Sequence, residues 1–413
     1  MTELTATKTS RNVVFLIIVA SLGYFVDIYD LLIFSIVRKA SLLDIGVKPA
    51  DVLSEGLYII NVQVVGLLIG GILWGVIGDK LGRIKVLFGS IILYTLANFA
   101  NGFVTSVDMY AIIRFVAGVG LAGELGAGIT LVTETLSKEK RGYGTMIVAF
   151  IGLFGAVAAA MIAKNIGWRH AYFVGAGLGT LLLLLRIGTF ESGMFKNIEK
   201  KDISKGNFLM LFTNWARAKK YLCCILIGAV NWFVIGVLVT LAPEFGGPKA
   251  LAALQPLSAG DGILYSYIGI AVGGIIAGLL SQALRSRKKV MFLFLVLSAI
   301  SQVVYLCTTG ITATQFIWEC FFMGCGVGYW TIFITIAAEQ FGTNIRSTVA
   351  TTVPNFVRGL LFPINLIFAA LVGHYGMITS GYIMMAVLTV IALVSLSQLK
   401  ETFSKDLDYL EAS

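Results

Sequence analysis

Apolar residues run along this chain in twelve long blocks, at 13–37, 54–77, 86–104, 109–135, 142–163, 169–189, 221–242, 262–284, 289–309, 314–338, 347–372 and 378–399. About 20 apolar residues carry a helix across the hydrocarbon core of a bilayer. A backbone in lipid must satisfy its own hydrogen bonds, which leaves the helix as the form for such blocks. The pattern predicts an all-α membrane protein of twelve transmembrane helices. The longest polar interruption, 191–220, carries Lys196, Lys200, Lys201 and Lys205 and divides the spans six and six. It predicts a first six-helix bundle over 1–190, a linker over 191–220, and a second bundle over 221–413 ending in a short tail.

The two sets of six repeat each other. Glu134 precedes Arg141 by seven residues after the fourth span, and Glu339 precedes Arg346 by the same seven after the tenth. Each pair follows a Gly-rich helix, with Gly118, Gly120 and Gly123 in one and Gly324, Gly326 and Gly328 in the other. Internal repeats of this kind place a binding site at the bilayer midplane, between the halves.

Composition agrees with the spans. Residues of hydrophobic type make up 58% of the chain and charged residues only 13%, against roughly a quarter charged in soluble domains. The net charge of +9 would suit a polyanion partner, but its distribution says otherwise. With the N-terminus inside, 23 of the 31 Lys and Arg residues fall on that side and 6 on the other, leaving Arg114 and Arg358 within the membrane. That asymmetry places both termini in the cytoplasm and accounts for the basic charge without nucleic acid. The five cysteines lie in apolar segments without metal-ligand spacing, as buried free thiols. No Gly-x4-Gly-Lys-(Ser/Thr) loop or nucleophile arrangement appears, so neither an ATP site, a cofactor nor an enzyme activity is expected.

After the second span stands Gly75-Val-Ile-Gly-Asp79-Lys80-Leu-Gly82-Arg83-Ile-Lys85, which resembles the signature loop of the major facilitator superfamily. Arg114-Phe-Val-Ala-Gly118-Val-Gly120 resembles its second signature, and Gly167-Trp168-Arg169 opens the sixth helix as is common there. Gly23-Tyr-Phe-Val-Asp27-Ile-Tyr29-Asp30, Gly123-Glu124-Leu-Gly126, Arg186 with Glu191-Ser192-Gly193-Met-Phe195, and Lys400-Glu401-Thr402 resemble the metabolite:proton symporter family within it. The chain departs from that pattern at Asp27-Ile28, where Glu-Trp is usual, and at Gly193, where Pro is usual. In the second half the loop is degraded, Gln282 standing where Asp79 stands in the first. The resemblance implies two pseudo-symmetric six-helix bundles in the major facilitator fold.

The charged residues inside the spans suggest the chemistry. Asp27 and Asp30 share a face of the first helix, and acids at membrane depth mark ion or substrate paths. Asp30 lies roughly 10 Å, and Arg114 roughly 9 Å, from the outer ends of their helices, so the two can meet. In sugar-porter relatives such a pair acts as a proton switch; the bland alternative is a static ion pair. Glu124 is expected to face the cavity as a second proton site or part of a gate, or else to be held structurally. Arg358 lies roughly 16 Å from the cytoplasmic end, near the midplane, where its planar fork suits a carboxylate or phosphate. Asn355, Asn365, Asn231 and Trp232 can complete a substrate site. Alternatively Arg358 pairs with Glu319 or another acid. Asp79, Arg83, Glu134, Arg141, Glu339 and Arg346 cluster at cytoplasmic helix ends as a candidate gate of ion pairs.

The expected protein is a secondary transporter of the inner membrane. It imports a small organic anion or zwitterion with protons as coupling ion, and acts as a monomer. The competing readings are an uncoupled facilitator of a sugar or other neutral metabolite, and a metabolite receptor that does not transport.

Overall fold

The structure, a computed structural model, describes residues 2–137, 140–187, 206–404 and 409–411. Among these, twelve helices are long and apolar enough to cross a membrane: α1 Val13–Asp44, α2 Ser54–Leu81, α3 Arg83–Asn101, α4 Val107–Thr135, α5 Arg141–Ile166, α6 Trp168–Leu185, α7 Trp215–Val239, α8 Ala259–Ala283, α9 Arg287–Cys307, α10 Ala313–Glu339, α11 Arg346–Tyr375 and α12 Met377–Gln398. Lys138, the stretch from Glu191 through Lys205, and Lys405 lie outside the described residues, and with them most of the expected linker. Helix α7 starts earlier than its apolar block because Asn214 caps it, accepting the Ala216 N–H at 2.8 Å. Arg217, Lys219 and Lys220 therefore occupy its first turns. Twelve crossings leave Val13 and Gln398 on one face of the molecule, called here the terminal side.

Short turns follow from local chemistry. Gly82, Gly167 and Gly376 take φ of +101°, +80° and +75° between consecutive helices, a region L side chains avoid. At the turn before α9 the left-handed residue is Arg285, φ +47°. Helix starts are capped by Ser106, Ser258 and Ser286, and by Thr312 with Gln315 in a capping box. Glu401 adds to the α9 start, accepting from Ser286 Oγ at 2.5 Å and the Arg287 N–H at 3.0 Å.

Both Gly-rich helices are interrupted. α4 consists of Val107–Leu121 and Glu124–Thr135, and α10 of Ala313–Gly326 and Trp330–Glu339. Missing side chains also let helices touch backbone to backbone. A Cβ at Gly118 would strike the Gln63 carbonyl of α2, and one at Gly324 the Ser266 carbonyl of α8, so the α2–α4 contact recurs as α8–α10. The first six helices meet the last six through α2 on α11, α5 on α8 and the second segment of α4 on α11. Ile92, Leu96, Leu181, Leu184, Val390 and Val394 are exposed on the perimeter, as an apolar solvent requires.

Candidate functional site

At the centre, α1 and α11 meet through a buried ion pair. Arg358 donates from Nη2 to Asp27 Oδ2 at 3.3 Å and from Nη1 to Asn355 Oδ1 at 3.2 Å. Asn355 turns its amide to the carbonyls of Ala122, at 2.9 Å, and Thr351, at 2.8 Å, which ties α11 to the break in α4. One turn before Asp27, Tyr24 Oη accepts from Trp330 Nε1 of α10 at 3.0 Å. Asp27, not Glu319, is thus the acid beside Arg358. Glu319 lies too near the rim and accepts from Thr308 Oγ1 at 2.8 Å.

Asp30 and Arg114 do come together, though not carboxylate to guanidinium. Arg114 donates from Nη2 to the Asp30 backbone carbonyl at 2.9 Å and from Nε to Gln63 Oε1 at 3.2 Å. The Asp30 carboxyl points the other way, towards Gly175 of α6 and the Asn98 amide of α3, and neither of its buried oxygens makes a hydrogen bond. Depth along the helices could bring the residues level but could not reveal which way the Asp30 side chain turns.

Glu124 takes the structural one of its two expected places. Arg186, at the end of α6, grips it with two bonds, Nη1 to Oε2 at 2.9 Å and Nη2 to Oε1, while also donating to the Leu87 carbonyl at 2.7 Å. Both side chains are at most 1% exposed. The break in α4 sets Glu124 at the start of the second segment, in reach of α6.

A narrow open cavity of about 50 Å³ lies between the halves, with Leu31 and Ser35 of α1, Ile60 and Gln63 of α2, Trp232 of α7 and Thr240 just after it, and Arg358 and Asn365 of α11 on its wall. These residues come from the parts of α1, α2 and α7 remote from the terminal side. A smaller pocket of about 10 Å³ sits behind it, lined by Tyr24, Asn231, Tyr267, Trp330, Trp232 and Arg358. Arg358 and Trp232 border both. Of the expected substrate residues, Arg358, Trp232 and Asn365 reach the open cavity, Asn231 only the pocket behind, and Asn355 neither.

The terminal side is closed. Arg83 of α3 bonds Glu134 of α4 at 2.9 Å and approaches Asp79 at 3.4 Å, and Arg346 of α11 reaches across to Glu134 at 3.2 Å. Asp79 accepts the N–H groups of Ser347 at 3.1 Å and Thr348 at 2.8 Å, where a helix N-terminus favours negative charge. Glu339 pairs instead within the second half, with Arg287 at 2.8 Å, and Arg141 donates to the Leu136 carbonyl at 3.2 Å. Arg287 escaped the sequence reading although the repeat marks it: it stands 52 residues before Glu339 as Arg83 stands 51 before Glu134. Gln282, the counterpart of Asp79, lies against Gly142 at the α5 start. Thr335 and Thr145 join the halves between these ends, at 3.1 Å.

Known proteins resemble this chain over most of its length. A Bacillus subtilis protein provisionally named niacin/nicotinamide transporter NiaP is 26% identical over 361 residues, covering 82% of this chain and 84% of its own. The sialic acid transporter NanX of Escherichia coli is 26% identical over 266 residues, covering 62% and 64%. The solved proton:xylose symporter XylE matches with a TM-score of 0.72 and 18% identity over 97% of this chain and 98% of that one, which establishes a common fold. The protein is a multi-pass membrane transporter of metabolites, not an enzyme. The Major Facilitator Superfamily model matches residues 13–360, and the chain belongs to that superfamily.

Proposed function

We propose that the protein imports a small organic anion or zwitterion together with protons across the inner membrane, by alternating access around Arg358. The observation that carries this reading is the position of Arg358: a permanently charged fork, 2% exposed, between the halves and on the walls of both the open cavity and the pocket behind it. A guanidinium at that depth calls for an anionic partner, from the protein or from the cargo. Niacin and sialic acid, named for two relatives, are both carboxylic acids, and nicotinamide, named with niacin for the first, is the neutral amide of the same ring.

Proton coupling is assigned to the acids of α1. A buried carboxylate without hydrogen bonds is costly as an anion, which supports Asp30 as a group that carries a proton. Gln63 lines the cavity and bonds Arg114, which in turn bonds the Asp30 carbonyl, so cavity and acid are two contacts apart. The basic residues gathered on the terminal side support a cytoplasmic position for both termini, and one chain supplies both halves of the path, which supports a monomer. The test is uptake into proteoliposomes under an imposed pH gradient. Accumulation of an organic anion is expected in the parent and not in the double variant Asp27→Asn/Asp30→Asn; equilibration without accumulation in the parent would favour an uncoupled facilitator, and equal accumulation by both would place the coupling on other groups.

A further inference from the structure

The ion pair that holds Arg358 is incomplete. Its one contact with Asp27 is 3.3 Å long and single, although a guanidinium and a carboxylate can form two parallel bonds. Arg358 Nε and Asp27 Oδ1 are both buried and neither has a hydrogen bond. Arg358 borders the open cavity and Asp27 does not, so a carboxylate arriving through the cavity meets the arginine with Asp27 on its far side.

We infer that, within the function proposed above, the cargo is a monocarboxylate with a compact apolar body, and that its carboxylate takes Arg358 from Asp27 while Asp27 takes up a proton. The cavity wall names the class. Beside Arg358 it offers the aliphatic side chains of Leu31, Ile60, Leu67 and Leu361 and the indole of Trp232, and among the described residues Arg358 is the one cation on that wall. A second carboxylate would find no partner there, and a polyhydroxylated body would lose more hydrogen bonds to water than Ser35, Gln63, Thr240 and Asn365 can return.

Charge conservation supplies the proton. Arg358 and Asp27 together are neutral; a bound carboxylate would leave one uncompensated negative charge in a buried site, at a cost that removing an ion-pair partner also incurs. One proton from the cavity water, bound to the released Asp27 carboxylate, restores neutrality, and no bond other than O–H is made or broken. The charged and titratable groups around Asp27 are Tyr24 and Asp30 of α1, Tyr94 of α3, Glu124 of α4, Tyr267 of α8 and Arg358 of α11. Glu124 is already neutralised by Arg186, and the tyrosines carry no charge near neutral pH. Asp27 is the acid in contact with the arginine that changes partner.

The test is titration calorimetry of the full-length detergent-purified protein with benzoate, nicotinate and hexanoate, with benzamide as neutral analogue and citrate as polyanion. Repeating each titration in buffers of different ionisation enthalpy counts the protons taken up. At least one monocarboxylate is expected to bind with uptake of about one proton, its Kd rising by up to about tenfold per pH unit. Asp27→Asn should bind the same ligand with no proton uptake and little pH dependence, while Arg358→Gln loses the binding. Monocarboxylate binding without proton uptake in the parent would overturn the exchange and leave an anion transporter. Preference for citrate, or no binding by any monocarboxylate, would overturn the cargo class. Binding of benzamide alone would instead remove the organic-anion function itself.

Discussion

Asp79 and Thr348, on opposite halves of the chain, are bonded twice: Oδ2 of the acid accepts from the Thr348 N–H at 2.8 Å and from its hydroxyl at 2.7 Å. The carboxylate thus serves as an N-terminal cap for α11 supplied by α2. Because the cap comes from the other half, it holds only while the terminal side is shut. Asp79→Asn keeps the shape and removes the charge, with an expected loss of about 1–2 kcal/mol from the closed state. A cysteine at Thr335 on a Cys-free background should then react roughly 5–30 times faster with an impermeant thiol reagent added on the terminal side. No change in that rate would show that the charge does not hold the halves together.

Asp30→Asn should change the driving force and spare binding. If Asp27 carries one proton with a monoanion, that step moves no net charge, and a second proton on Asp30 makes transport electrogenic. The variant should therefore respond to a pH gradient but not to an imposed membrane potential, measured with a potassium diffusion potential in proteoliposomes. Potential-driven uptake equal to the parent's would exclude Asp30 as a proton carrier.

Glu124 and Arg186 predict a stability effect. Removing one partner strands a buried charge, so Glu124→Gln should lower unfolding stability by about 3–5 kcal/mol. Adding Arg186→Met to that variant should recover part of the loss. A thermal melt in detergent shows it, and a fully stable Glu124→Gln would mean that Arg186 has a sufficient second partner.

Gly126 touches the other half. A Cβ there would strike the side chain and backbone of Thr351 on α11, whereas one at Gly118 would strike α2 within the same half. Gly126→Ala should accordingly favour the state open on the terminal side, raising the labelling of the Thr335 cysteine, at a cost of about 1–3 kcal/mol to the closed packing. Gly118→Ala should lower the melting temperature and leave the labelling ratio unchanged.

Glu401, beyond the end of α12, gives a pH prediction. Burial raises its pKa, but hydrogen bonds from Ser286 and the N–H groups of Arg287, Lys288 and Phe403 outweigh that and hold it below the ordinary glutamate value of 4.5. A depressed folded pKa contributes stability above the unfolded value and loses it as pH falls through the folded one. Between pH 6 and about 3, Glu401→Gln should therefore flatten the fall in melting temperature relative to the parent.

What could be read from the sequence follows the physics each feature depends on. Span number and fold class depend on long-range composition, which survives any choice of rotation, and the candidate gate residues Asp79, Arg83, Glu134 and Arg346 lie at helix ends that the turns locate. The Arg358–Asp27 contact depends on how α1 and α11 are rotated across the interface, for which twelve nearly uniform apolar helices give no signal. The way Asp30 and Glu124 face is hidden for the same reason: depth is a count along the chain, while direction is set by neighbours such as Gly175 and Arg186.

The pair formed by Asp79 and Gln282 makes the two edges of the closed face unequal. Parting α2 from α11 uncovers a carboxylate and a helix terminus at once, and parting α5 from α8 uncovers the Gln282 amide and the Arg287 guanidinium beside Gly142. A chain whose halves mirror each other in sequence therefore closes its face with two different chemistries, a charged helix cap along one edge and an amide beside a guanidinium along the other.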